Sequence, residues 1–97
     1  VTELEKNELY KKAIDKWGKE EQLKMVAEEC LELALAIRHN LRGKATARDI
    51  IEEAADVEIM LEQLREIMNR YMGSHGEVLI DEKKTEKLER LEKLLRE

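Results

Sequence analysis

Residues 28–37 read EECLELALAI, and the fold turns on how this stretch is read. After Glu28 and Glu29 come eight residues of which seven are apolar, with Glu32 alone among them. Leu, Ala and Glu are strong helix formers, so the run reads as a buried helix that carries a carboxylate. Outward from it, the four glycines, Gly18, Gly43, Gly73 and Gly76, each fall where helical periodicity lapses. Glycine just past a helix end is the usual C-terminal stop. The expectation is an all-α chain of four helices, at roughly 3–17, 20–42, 47–72 and 82–96. Thr46 and Asp49 are spaced as a capping box for the third helix. Asp81 is the predicted N-cap of the fourth, after an irregular connection GSHGEVLI at 73–80. No internal repeat is visible.

Composition narrows the class. The chain has 97 residues, the length of one domain, with 42% charged residues, no Pro and no Phe. Lys and Arg number 18 against 23 Asp and Glu, a net charge of −5, which argues against a nucleic-acid binder. It leaves a phosphorylated ligand open, because a metal ion inverts local charge. A lone cysteine, Cys30, allows no internal disulfide and points to a cytoplasmic location. The first residues, VTELEKNELYKK, lack the apolar core of a signal peptide, and no apolar run is long enough to span a membrane.

Projection at about 100° per residue gives the two central helices one main stripe each. On the second helix it is Leu23, Val26, Ala27, Cys30, Ala34, Ile37 and Leu41. On the third it is Ile50, Ala54, Val57, Leu61, Leu64 and Met68. These predict the core of an antiparallel helical bundle, with Cys30 a packed thiol. Yet Met25, Leu31, Leu33, Leu35 and Ala36 lie off the first stripe, and Ile51, Ile59, Met60 and Ile67 off the second. Helices apolar on more than one side are buried on more than one side. A chain this small cannot cover them all, so the bundle is expected to be completed by a second copy, as a homodimer or homotetramer.

The carboxylates follow the same geometry. Glu28, Glu29 and Glu32 share a sector of the second helix, and Asp49, Glu52, Glu53 and Asp56 share a side of the third. The short link Arg42–Thr46 makes the helices antiparallel, so Glu29 and Glu32 can face Glu53 and Asp56. Four facing carboxylates repel, and a bound cation relieves this. Acidic pairs at the same spacing elsewhere, such as Glu5/Glu8 and Glu86/Glu89, have Lys and Arg among them and read as solvated faces. The central ones have none: no basic residue lies between Cys30 and Ile37, nor between Ile50 and Leu64. Carboxylates projecting from neighbouring helices are a known way to hold a metal in a bundle.

Glu28-Glu29-x-x-Glu32-Leu33, followed by Glu53-x-x-Asp56-Val57, resembles the signature of MazG-like all-α nucleoside triphosphate pyrophosphohydrolases. The resemblance extends to Arg42-Gly43 and to Lys87-Leu88-Glu89-Arg90 in the last helix, and covers about Leu9 to Leu95. It implies hydrolysis of a nucleoside triphosphate, often deoxy or damaged, to monophosphate and pyrophosphate, as nucleotide-pool housecleaning. It implies magnesium, with manganese as a substitute, held by Glu29, Glu32, Glu53 and Asp56. Glu28 either positions the attacking water or pairs with Lys24. Lys87 and Arg90 either contact the outer phosphates or form a salt-bridged face with Glu86 and Glu89. Thr85 and Glu86 stand where the family often has Asn. Trp17 either stacks on a base or, the favoured alternative, closes the core at a helix junction. His39 and His75 have no partner at metal-ligand spacing and read as structural or exposed. Two other readings are a phosphoribosyl-ATP pyrophosphohydrolase-like enzyme and a non-catalytic oligomerisation module with solvated acidic faces.

Overall fold

The computed structural model describes all 97 residues as four helices joined by short turns, with no strand: α1 (Glu3–Trp17), α2 (Lys19–Leu41), α3 (Ala47–Tyr71) and α4 (Gly76–Arg96). The chain divides into two units, Val1–Leu64 and Arg65–Glu97. No helix is long and apolar enough to cross a membrane.

In the first unit, α1 begins at a capping box in which Thr2 Oγ1 accepts from the Glu5 amide at 3.1 Å and the Glu5 carboxylate accepts from the Thr2 amide. Gly18, at φ 84°, both ends α1 and opens α2; a side chain there would be strained. Tyr10 Oη donates to Glu62 at 2.6 Å and Lys6 pairs with Glu62 at 3.1 Å, which ties α1 to α3. The Tyr10 hydroxyl is pushed up to about 12 by burial and by the Glu62 carboxylate that accepts its proton.

The α2–α3 pair is antiparallel, and three contacts fix its register. Gln63 Nε2 donates to Gln22 Oε1 in the interior, Glu29 lies with Asp56 midway, and Asn40 donates to the Ala45 carbonyl at 3.0 Å beside the turn. The residue numbers of each pair add to the same total, as a straight antiparallel hairpin requires. The predicted capping box at the start of α3 is present: Asp49 Oδ2 accepts from the Thr46 amide at 2.8 Å and from its hydroxyl at 3.1 Å. The interior of this unit is Tyr10, Ile14, Val26, Val57 and Met60, with the amides of Gln22 and Gln63.

The seam corrects the expected stripe on α2. Gln22, Val26, Glu29, Leu33 and Ala36 turn inward, whereas Ala27, Cys30, Ala34, Ile37 and Leu41 are exposed. Cys30 is therefore not a packed thiol. Hydropathy marks which faces gain from burial; it does not say which neighbour buries them. On α3 the expected Val57 is buried, but so are Met60 and Ile67 from off the stripe, and Leu61 is exposed.

In the second unit, α4 starts at Gly76, five residues before the expected Asp81 cap. Asp81 lies instead in the second turn of α4 and accepts from Arg65 at 2.9 Å, while Arg65 also pairs with Glu77 at 3.5 Å. Asn69 Oδ1 accepts from the Glu77 amide at 2.8 Å, satisfying a free donor of the first turn of α4. Gly76 is buried against α3 so closely that a Cβ there would overlap the backbone carbonyl of Met68 and sit 2.6 Å from the Met68 Cβ.

Candidate metal centre on the α2–α3 seam

Helical spacing on α2 puts Glu29 on the inward seam, flanked by Val26 and Leu33; on α3 it puts Glu53 beside Ala54 and Val57. Antiparallel register then brings Glu29, Glu53 and Asp56 together, with one carboxylate oxygen of each within 4.8 Å of the others. Glu29 and Glu53 are half-buried and Asp56 is exposed, so the cluster opens to solvent on one side. Glu29 Oε2 and Glu53 Oε2 are sealed from solvent and have no hydrogen-bond partner. Neither Lys nor Arg pairs with any of the three.

Desolvation is the first cause that raises the Glu29 carboxyl above the ordinary carboxylate value, followed by the charges of Glu32 and Asp56. The Glu53 carboxyl is raised for the same reasons in the same order, and the Glu32 carboxyl is close enough to share a proton with it. Glu32 itself is exposed and stands at the edge of the cluster. The carboxylate with an oxygen shut from water is thus Glu29, at the head of the apolar run, and not Glu32 within it. Glu28 lies one turn before Glu32 on the exposed flank; Lys24 pairs with Glu20 and Glu21, not with Glu28.

Beside the cluster runs a groove of about 220 Å³ lined by Glu32, Glu53, Asp49, Leu35, Ala36 and His39. His39 is half-buried there. A search confined to metal-ligand spacing passes over it; its signal is that it follows Glu32 by two helical turns. Trp17 does not close the core: it is 54% exposed, with Lys16 Nζ 5.3 Å from its ring centre. Lys87 and Arg90 belong to α4 in the second unit, and neither forms a salt bridge with Glu86 or Glu89. The Glu86 carboxylate is taken instead by Lys83 at 3.2 Å.

The acidic cluster fits a hard divalent cation. Its donors are all carboxylate oxygens, the donor class magnesium prefers, and two of them lack any other partner. Compared with known proteins, the chain matches no family model, no curated protein and no solved structure.

Proposed function

We propose that this protein is a magnesium-dependent nucleoside triphosphate pyrophosphohydrolase of the MazG-like type, acting on deoxy or non-standard nucleotides in the cytoplasm. One observation carries the reading: facing carboxylates on two antiparallel helices, no cation among them, and two oxygens sealed without a partner. A structure that buries unpaired acceptors loses free energy unless something binds them. Glu29, Glu53 and Asp56 would hold the magnesium (or manganese), with Glu32 joining from the edge. The ion's chemistry is charge neutralisation on phosphate oxygens and orientation of the attacking water.

The chain's own side chains do the rest. Glu28, exposed beside Glu32 and unpaired with Lys24, accepts a proton from the water. The exposed face of Trp17 offers a stacking surface for a base. A second copy covers the apolar side that α2 and α3 leave open, where Leu31 is 70% and Ile51 67% exposed. Sedimentation checks that part directly; a strict monomer at working concentration overturns it.

The functional test is thermal unfolding with and without millimolar magnesium, for the parent and Glu53→Gln, followed by a triphosphate panel with product analysis. Magnesium should stabilise the parent by about 1.4 kcal/mol for each tenfold excess over its dissociation constant, and leave the variant unmoved. Hydrolysis to monophosphate and pyrophosphate should fall more than about 100-fold in Glu53→Gln. If neither magnesium nor magnesium with a nonhydrolysable triphosphate stabilises the parent, the chain is a non-catalytic helical module.

A further inference from the structure

The second unit carries a groove of its own, of about 430 Å³, between the end of α3 and the start of α4. Met68, Met72, Leu79 and Ile80 form its floor. Lys83, Lys84 and Lys87 form its rim. Lys83 is held by Glu86 at 3.2 Å, whereas Lys84 and Lys87 form no ion pair. Two unpaired lysines over an apolar floor are a marked local excess in a chain of net charge −5.

The helical projection sharpens this. Glu82, Glu86 and Glu89 fall within about 60° of arc on α4; Lys83 sits at the edge of that arc, where it meets Glu86, and Lys84 and Lys87 fall away from it. The lysine side continues past the groove: Ile80, Lys84, Lys87, Leu91 and Leu94 recur at alternating spacings of four and three. That is the spacing of a helix-pairing seam. Leu91 and Leu94 are exposed on it. The lining runs from Gly76 to Lys87, about 16 Å along α4, or three helical turns. A compact anion would use one end of such a groove; a helix uses its full length.

The lysines also select among helices. A second copy pairing in parallel through this face would set Lys84 and Lys87 against their own counterparts, and like charges at seam positions oppose that self-association. Methionines line the floor as flexible, polarizable side chains that adapt to a guest. We propose that this groove docks an acidic amphipathic helix of a partner protein, with its apolar side chains on the floor and its carboxylates on Lys84 and Lys87.

The test uses the full chain and a fluorescein-labelled amphipathic peptide long enough to span Gly76 to Leu94. The peptide carries leucines at its seam positions and two glutamates opposite Lys84 and Lys87; its twin carries lysines there. By anisotropy the acidic peptide should bind saturably, and Lys84→Glu should weaken it about tenfold and improve binding of the lysine twin. Lys84→Glu leaves Lys87, which the family resemblance also uses, in place. Met72→Asp, at an exposed floor position, should weaken both peptides, with circular dichroism confirming an intact fold. Equal binding of the two peptides, or an affinity untouched by Lys84→Glu, overturns the proposal. So does displacement of the acidic peptide by phosphatidylserine vesicles, which would make this a membrane-facing surface. A dimer that forms at the groove and excludes the peptide would assign it to a second copy and overturn it equally.

Discussion

The α2–α3 seam and the α3–α4 hairpin are built from the same ingredients and reach opposite electrostatic ends. Both place carboxylates at helical spacing: Glu29, Glu53 and Asp56 across the facing α2 and α3 in one, Glu77 and Asp81 along α4 alone in the other. In the hairpin a single guanidinium, Arg65, takes up both acids, at 3.5 and 2.9 Å. On the seam nothing does, and two oxygens are shut away from water as well. The lesson is that acidic spacing is neutral information. The missing counter-charge, together with desolvation, singles out one cluster as the candidate metal site and leaves the other a brace.

The helix contacts differ in the same way. The hairpin closes by backbone approach, with Gly76 against Met68, whereas the seam is locked by a buried amide pair, Gln22 and Gln63. Gly76→Ala should therefore cost the most, about 2–3 kcal/mol by chemical denaturation, because the new methyl meets backbone that cannot step aside. A near-neutral result would mean that the hairpin opens freely. Gln22→Leu should cost about 2 kcal/mol, since it strands the buried amide of Gln63, and adding Gln63→Leu should recover most of that. If the double variant is as weak as the single, the pair does more than satisfy itself.

Acid titration probes the seam alone. Glu29 and Glu53 have folded-state values raised above the usual 4.5, so the folded chain holds protons that the unfolded chain releases. Stability is fully present below the ordinary carboxylate value and is lost as pH rises through the raised one. The metal-free parent should melt a few degrees higher at mildly acidic pH than at neutral pH, and Glu53→Gln should flatten that slope. A slope of opposite sign would mean that the carboxylates are paired in solution. The smallest effect is expected from Arg65→Met, about 1 kcal/mol, because its partners are largely exposed. Made in the Glu53→Gln background, it should not create a magnesium response. If it does, an absent cation suffices by itself and desolvation adds nothing.

Much of this was legible in the chain. The three glycines that end helices, the Thr46–Asp49 box and the short link gave four helices and an antiparallel central pair. The absence of Lys and Arg from 50–64 pointed to Glu53 and Asp56, which the structure brings together with Glu29 and leaves without a basic partner. What was not legible has a common cause. Gly76 looks like loop punctuation because sequence cannot separate a glycine that ends a helix from one that lets two helices touch; with it went the misplaced Asp81 cap. The α2 stripe failed because Gln22 and Glu29, both polar, occupy the seam while Cys30, Ala34 and Leu41 remain outside. Trp17 was expected to close the core at the helix junction, but at the Gly18 break it is half out in solvent.

The straight antiparallel register of α2 and α3 carries a consequence for lineage. Within each helix, the steps Glu29 to Glu32 and Glu53 to Asp56 are locked, since one inserted residue would swing the next carboxylate about 100° away. Between the helices the count is loose: the turn at Arg42–Thr46 can lengthen freely, and both arms can grow together by matched turns without parting the acids. Distant kin of this chain should thus be sought with the two short patterns rigid and the stretch between them elastic.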